Sequence, residues 1–583
     1  MGKPSREVIQ AIEAELKTTI PTVDADGNEL SKKQFKRILK AAVKERLKEL
    51  EQETSQPAQN APVKKAKIVA STTNISADKY LEFRMEQLKT LSEKYSFPIY
   101  PHKFDVDMTV NEYCEKYDAD FKDGESNKDI SVAITGRVVR IRPSSAYLVF
   151  IVIEQLEQEV QIMCNFQNYR LDKEETEEVR EERFRGFLSN ICRGDIIGFN
   201  GFPGRTRRGE LSMFAQDITF LAPCLQVLPD PHIGVRDDQI RFRNRPLDFM
   251  VNVEKRKIIR QRADVVRFIR NFLDDHDFIE VETPVLTNVA GGGHAKPFVT
   301  FHHDLGEELK MRIAPEIYLK KLVVGGFDRV YEMGKQFRNE SMDATHNPEF
   351  TSCEFYCAYW DYNDLMDFTE KMLGELAIRL CGSYDVPFGG EIISFKPPFK
   401  RISFIGRLEE ILGYNPLHCD IQLLADKVAE LGITCEPART KYLDKLLGHY
   451  VEQHVKEPAF VIDHPALISP LAKEHRDDPD LTERFELIIA GREIANAYTE
   501  LNSPFIQEER FREQIAAAHD GDDEAHPFDE SFIEALTRGL PPTAGWGLGV
   551  DRLIMLLTGQ ETIKEVLCFP AMKRIDDKEE QQE

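Results

Sequence analysis

The stretch that decides the fold runs from Arg329 to Tyr356, RVYEMGKQFRNESMDATHNPEFTSCEFY. It reads as a strand reaching Phe337-Arg338-Asn339-Glu340, a polar loop, and a return strand carrying Glu349, Phe350, Glu354 and Tyr356. On the return strand Phe350, Ser352, Glu354 and Tyr356 recur at period two and so share one face of the sheet. A face of acids and an aromatic hydroxyl is costly inside a core unless a bound cation compensates it. At the loop mouth, the planar fork of Arg338 suits two oxygens of a phosphate and the charge that develops at phosphorus.

Upstream of this hairpin lies Phe278-Ile-Glu-Val-Glu-Thr-Pro284, the end of an amphipathic helix (251–273) followed by a strand that proline stops. Downstream lies Gly545-Trp-Gly547-Leu-Gly549-Val-Asp551-Arg552, which opens an apolar helix. Alternate glycines let a backbone approach a ligand closely, and a tight packing turn is an equal alternative. Between them the chain alternates helices with strands such as FELIIAG.

Towards the N-terminus the period changes to two between Ile130 and Ala222. VAITGRVVRI, AYLVFIVI, EVQIMCNF, GDIIGFNGF and ELSMFAQDITFL are five short strands, with a helical interruption around 174–188. This pattern predicts a small Greek-key barrel of the OB type. Phe150 and Gln161 fall on consecutive strands, where a barrel face could stack and hydrogen-bond an unpaired base, although an aromatic in such a run is more often core. A helix is expected over 79–95 and another over 31–53, whose apolar stripe includes Phe35, Leu39 and Leu47. Residues 52–70 read as a polar linker. The expected organisation is an α+β chain with a basic helical arm and linker (1–78), an OB barrel (79–225) and a large C-terminal domain (226–583).

The 583 residues are 30% charged, with a mean hydropathy of −0.40, ordinary globular composition. No apolar run of about 18 residues predicts a membrane span, and the first residues lack a secretory core. The ten cysteines show no repeated Cys-x-x-Cys, so reduced thiols in the cytosol are expected rather than a zinc module. A net charge of −24 argues against a polyanionic partner. However, eight basic residues stand against two acidic ones from Glu29 to Lys48. At a Debye length of about 8 Å such an arm can still hold nucleic acid.

Together, in order, the three constellations resemble motifs 1, 2 and 3 of the class II aminoacyl-tRNA synthetases. The resemblance continues through Arg312-Ile-Ala-Pro-Glu316-Ile-Tyr-Leu-Lys320, Thr345-His346-Asn347-Pro-Glu-Phe350 and Gly491-Arg-Glu493-Ile-Ala-Asn496-Ala-Tyr498-Thr-Glu500-Leu-Asn502, which are similar to the lysyl-tRNA synthetases. Tyr100-Pro-His-Lys-Phe104, Pro541-Pro-Thr-Ala-Gly-Trp546 and Phe569-Pro-Ala-Met-Lys573 look like the eukaryotic cytosolic form.

What the resemblance implies is an antiparallel sheet flanked by helices, with ATP as substrate, Mg²⁺ as cofactor and no protein nucleophile. Lysine is first activated as lysyl-adenylate and then transferred to tRNA. Arg338 would bridge the α-phosphate and the lysine carboxylate, and Arg552 would lie against adenine and the γ-phosphate opposite Phe350. Asn339, Glu340, His346, Asn347, Glu493, Ile494, Gly549 and Asp551 complete the implied ATP site. Glu486 and Glu493 match the metal-binding acids. Seven residues apart, they face opposite ways on one strand unless a bulge or turn intervenes near Gly491. Glu500 and Tyr356 match the residues that meet the ε-ammonium, and Glu316 and the Gly292 backbone those that hold the α-amino group. Glu354, Asn496 and Tyr498 line the rest. In the barrel, Phe150, Gln161 and Glu210 match readers of the central anticodon base, with Arg137 and Arg142 as helpers. The hairpin after Phe150, Ile-Val-Ile-Glu-Gln-Leu-Glu-Gln-Glu, lacks the turn glycine of its relatives, which leaves its geometry open.

The implied partners are tRNA(Lys) and a second copy of the chain, docked through Pro284 and its flanking helix. A multi-synthetase complex is a further partner the resemblance allows, and no membrane is expected. The weighed rivals are a non-catalytic paralogue, an aspartyl or asparaginyl enzyme, and a free amino-acid ligase. The first would have lost Arg338, Glu493 or Arg552, and Glu500 with Tyr356 argues against the second. The third would lack the barrel and arm.

Overall fold

The computed structural model describes residues 39, 76–170, 176–229, 234–293, 295–519 and 528–574. The expected helix 31–53, its basic face and the linker 52–70 lie outside the described residues, apart from Leu39, which is helical and buried. The chain divides into two compact units, Met1–Gln226 and Val227–Glu583.

In the first unit five strands close a barrel in the order β1-β2-β3-β5-β4: β1 (Val132–Ser145), β2 (Leu148–Gln155), β3 (Gln158–Asn165), β4 (Ile196–Arg205) and β5 (Leu211–Ala222). Closure removes the free edges that five short strands would otherwise expose. The period-two pattern has its expected consequence. Val149, Ile151 and Ile153 are fully buried in the barrel core, and Phe150 lies on the alternate face. β3 and β5 run parallel, because the helix Glu177–Asn190 and β4 intervene between them. The helix Ala77–Lys89 is tied down by Arg84, fully buried, whose guanidinium meets Asp195 at 2.7 and 2.9 Å.

The hairpin without its glycine still forms. β2 and β3 pair in register down to Gln155↔Gln158, leaving a two-residue turn of Leu156 (φ 52°) and Glu157 (φ 72°). Both residues take the left-handed conformation that a tight hairpin requires.

The second unit opens with helices that include Val253–Asp274, and its first strands are β6 (Ile279–Glu280) and a three-stranded sheet of β7 (Leu286–Thr287), β8 (Val299–His302) and β9 (Glu307–Met311). Then come β10 (Arg329–Phe337), β11 (Glu349–Ala358) and the hairpin β12 (Asp385–Phe388)–β13 (Glu391–Ser394). The remaining strands are β14 (Lys400–Ser403), β15 (Ala459–Pro465), β16 (Leu481–Ile489), β17 (Arg492–Thr499) and β18 (Thr543–Gly549). The main sheet runs β14-β15-β16-β17-β18-β11-β10-β6. It is mixed rather than wholly antiparallel. The six central strands are antiparallel, but β14–β15 and β10–β6 pair in parallel at the two edges. Each parallel pair is joined by a long crossover containing helices, as parallel pairing demands.

Alternation sorts the two faces. Cys353, Phe355 and Cys357 of β11, Ala495 and Ala497 of β17, and Trp546 and Leu548 of β18 enter one core with the helices Val253–Asp274, Tyr362–Cys381 and Val550–Leu557. Phe355 and Trp546 stack there at 4.8 Å. The opposite face is left to Phe350, Ser352, Glu354, Tyr356, Asn496 and Tyr498, and to the glycines of β18.

Candidate active site

One cavity opens on that opposite face, lined by β11, β17, β18 and the loop after β10. Gly292, Glu316, Glu354, Tyr356, Asn496 and Tyr498 meet at one end, and Arg338, Glu340, His346, Asn347, Phe350, Glu493, Ile494, Gly549, Asp551 and Arg552 line the remainder. Glu500 lies behind the floor of the acidic end. Its Oε1 stands 2.0 Å from where a Cβ on Gly545 would sit, and a Tyr356 ring carbon stands 2.5 Å from the same point. Glycine at 545 is therefore a steric requirement of the site. Asn339 is held aside, its backbone N–H donating to the Lys296 carbonyl.

At the acidic end Glu316, at the start of the helix Glu316–Val324, accepts from the Tyr498 hydroxyl at 2.6 Å and from the Lys320 ammonium at 2.6 Å. Lys320 also contacts Glu500 Oε2 at 2.5 Å, off the hydrogen-bonding direction, and Glu500 Oε1 has no hydrogen-bond partner. Burial pushes the Glu354 carboxyl up to about 8, with Glu316 adding to the rise and Arg338 opposing it. Burial likewise drives Glu500 well above the carboxylate range against the pull of Lys320. An acidic, largely desolvated pocket with an unsatisfied carboxylate oxygen is a receptor for an ammonium.

The other end carries guanidinium groups. Arg338 stands 5.1 Å from the Phe350 ring centroid, and its Nε is buried without a hydrogen-bond partner. Arg552 donates to the Glu493 carbonyl at 2.9 Å and to His346 Nε2 at 2.8 Å, and lies 3.4 Å from Glu493 Oε2. Because arginine only donates, His346 Nε2 accepts, and Nδ1–H donates to Asp343 Oδ2 at 2.8 Å. Burial would raise the Asp343 carboxyl, but the Thr345 N–H and His346 outweigh it and hold it down at about 2. Asp551 lines the cavity with both oxygens engaged, accepting from the Thr351 N–H at 2.7 Å and pairing with Arg262. Asn347 is likewise a brace, donating to the Glu349 carbonyl and accepting from the Ala571 N–H.

The two metal-matching acids come together across a hairpin. β16 and β17 are joined at Ala490-Gly491, with Ile488 opposite Glu493 and Asn496 opposite Glu486. Glu486 and Ile488 share a face, so Glu493 faces the same way as Glu486. Glu486 Oε1 is paired with Arg484 at 2.6 Å. Burial raises the Glu486 carboxyl, Arg484 opposes the rise, and Glu493 and Glu452 add to it. Among the described residues no group of three or more His, Cys, Asp and Glu could hold an ion unaided.

On the barrel, Arg142 is the register partner of Phe150, and Val152 that of Gln161. Gln161 donates to Ser212 Oγ at 2.8 Å, and Glu210 lies 3.9 Å from Arg142. These four residues form one surface. Arg137 is not brought to it. It pairs in register with Glu154, further along β2, and donates to the Gly194 carbonyl at 2.7 Å. Arg140, which the sequence reading passed over, lines the same hollow as Gln161 and Glu210 and is paired with Glu159. Lys320, fully buried, joins Glu316 and Glu500 at the acidic end. Its signal was its position one helical turn from Glu316.

A family profile described as tRNA synthetases class II (D, K and N) matches residues 237–573. The chain is 44% identical to lysine–tRNA ligase cla4 of Cladosporium cladosporioides over 97% of this chain and 95% of that protein. It is 42% identical to the probable cytoplasmic lysine–tRNA ligase of Encephalitozoon cuniculi, over 84% of this chain and 97% of that protein. It is also 42% identical to the lysine–tRNA ligase of Thermotoga maritima, over 86% and 98%.

Proposed function

We propose, on the premise that the chain belongs to the lysine–tRNA ligases among the class II tRNA synthetases, that the cavity under β11, β17 and β18 performs both of their chemical steps. The activity is that of a lysine–tRNA ligase: ATP, L-lysine and tRNA become AMP, diphosphate and lysyl-tRNA. In the first step a lysine carboxylate oxygen bonds to the α-phosphorus while the bond to diphosphate breaks. In the second the terminal ribose hydroxyl of tRNA takes the lysyl carbonyl and AMP leaves. No side chain needs to be a nucleophile, so rate comes from alignment and charge stabilisation.

Arg338 bridges the α-phosphate and the substrate carboxylate. Its unpartnered Nε beside the cavity supports this role. Arg552, steadied by His346 and Glu493, meets adenine and the γ-phosphate, with Phe350 against the base. Glu500 and Tyr356 receive the ε-ammonium, and Glu316 with the Gly292 backbone receives the α-ammonium. The observation that carries the reading is the placing of charge in one cavity: Glu316 and Glu354, with Glu500 behind them, stand at one end, and both lining guanidinium groups, Arg338 and Arg552, stand in the remainder.

Glu486 and Glu493 would hold Mg²⁺. Two carboxylates on one face suit an ion that completes its shell with phosphate oxygens, whose charge it would neutralise. On the barrel Arg142, Phe150, Gln161 and Glu210 read the anticodon of tRNA(Lys), and the basic run 32–48 adds phosphate contacts. Removing residues 1–78 should leave amino-acid activation intact, raise the tRNA KM and flatten its salt dependence by close to one unit per lost contact.

A homodimer is supported by exposed apolar residues around motif 1, Ile279, Val285, Leu286, Val299 and Phe301; light scattering tests it. Among the described residues no helix is long and apolar enough to cross a membrane. Ten free cysteines support a cytoplasmic site. ATP–diphosphate exchange with each of the twenty amino acids, with and without chelator, tests the whole reading. Exchange must depend on lysine and on the divalent ion.

A further inference from the structure

Lys320 is fully buried, yet its ammonium does not point away from the active site. It lies 2.6 Å from Glu316 Oε1 and 2.5 Å from Glu500 Oε2, with the rings of Tyr498 and Phe532 at 5.6 and 5.5 Å. A buried ion pair is a poor way to join two elements, since a packed apolar pair commonly stabilises as much. Here the ammonium touches the two carboxylates assigned above to the two ammonium groups of the substrate. One oxygen of each is left for a ligand. Glu500 Oε1 is without a partner, and Glu316 Oε2 lies 3.4 Å from the Cβ position of Gly292.

We propose that Lys320 is a specificity-determining positioning residue, an internal ammonium that aims Glu316 and Glu500 and matches the pocket's charge to a diamino acid. This rests on the assignment of Glu316 and Glu500 to the substrate's ammonium groups. With Glu316, Glu354 and Glu500 ionised and Lys320 and Arg338 charged, the pocket holds a single net negative charge. Lysine, with two ammonium groups and one carboxylate, cancels it. A mono-amino acid has no net charge and leaves a buried carboxylate uncompensated. Without Lys320, lysine itself would leave one, and the pocket would take up a proton in its place. The ionisable groups facing Lys320 and Glu500 are Glu316 from the same helix, Glu354 and Tyr356 from β11, and Tyr498 from β17.

The test is Lys320→Met, a near-isosteric change, in lysine-dependent ATP–diphosphate exchange between about pH 6.5 and 9. At neutral pH the lysine KM should rise more than about tenfold while the ATP KM stays within about twofold. The deficit should shrink as pH rises, because hydroxide then removes the proton that Lys320 had discouraged. Preference for lysine over norleucine should fall in parallel. An unchanged lysine KM, or a pH-independent deficit shared with ATP, overturns the proposal in favour of packing. Glu500→Gln separates the two levels: if it leaves the lysine KM unchanged, the pocket assignment itself fails. Should Lys320→Met not fold, Lys320→Met/Glu500→Gln removes both members of that pair. Its lysine KM should exceed that of Glu500→Gln alone, by the share exerted through Glu316, with the ATP KM within about twofold, and a further loss shared equally with ATP overturns the proposal.

Discussion

Glu493 and Asn496 face the same side of β17 although they are three positions apart. In an unbroken strand an odd separation puts side chains on opposite faces. Here Leu487 pairs with Ala495 and Ile488 with Glu493, so Ile494 is an extra residue, a bulge that enters the core beside Ala495. The bulge lets the metal-matching acid at 493 line the same cavity as Asn496 and Tyr498.

The glycine floor under Glu500 predicts a selective defect. Gly545→Ala should displace Glu500 and the Tyr356 ring, because the new Cβ would lie 2.0 and 2.5 Å from them. A loss of about a hundredfold in kcat/KM for lysine, with the ATP KM nearly unchanged, is expected. Equal losses for both substrates would mean a general disturbance of β18.

Lysine binding should strengthen with pH. Burial, and next Glu316, hold the Glu354 carboxyl at about 8 in the free protein, so below that pH the pocket is protonated. The ionised form is the one that receives ammonium groups. Raising pH from about 6.5 towards 8 therefore lowers the lysine KM, by at most about tenfold per unit for one group. Glu354→Gln should flatten the slope. A lysine KM that rises over this range contradicts the assignment.

The Asp551 carboxylate serves architecture more than ATP. Paired with Arg262 and accepting the Thr351 N–H, it clips β11 to the opening of the helix that carries Arg552. Asp551→Asn should lower unfolding stability by about 2–3 kcal/mol in urea titrations without ligand. Unaltered unfolding with a raised ATP KM would give it a ligand role.

The barrel hairpin carries removable strain. Glu157 at φ 72° has its N–H bonded to Glu154 Oε1, a bond glycine would keep. Left-handed backbone costs a side-chain-bearing residue about 1–2 kcal/mol, partly offset by the greater unfolded-state entropy of glycine. Glu157→Gly should stabilise the barrel transition by about 0.5–1 kcal/mol and leave lysine-dependent exchange unchanged.

What the chain revealed before folding was what short-range pattern encodes. Phe350, Glu354 and Tyr356 announced a polar sheet face by alternation, and the glycines of 545–549 announced a close backbone approach. Where the structure added something, the cause is long-range register. The Ile494 bulge depends on the pairing of β16 with β17, and no local residue marks it. Arg137 stands apart from Phe150, opposite Glu154 on β2 and bonded to the Gly194 carbonyl of another segment, a contact that no local pattern encodes. The parallel sheet edges follow from crossovers whose packing no window of sequence contains. Lys320 was visible as a residue but not as a partner of Glu500, which is 180 positions away in the chain.

The central claim is that the acidic end of the cavity, through Glu500, recognises the ε-ammonium of lysine. Its most direct test is the lysine KM of Glu500→Gln in ATP–diphosphate exchange, measured beside the ATP KM. Neutralising the buried counter-charge should raise the lysine KM by a hundredfold or more, roughly 3 kcal/mol, with the ATP KM held within about twofold. A lysine KM within about threefold of the parent protein, at unchanged pH and salt, would contradict the account.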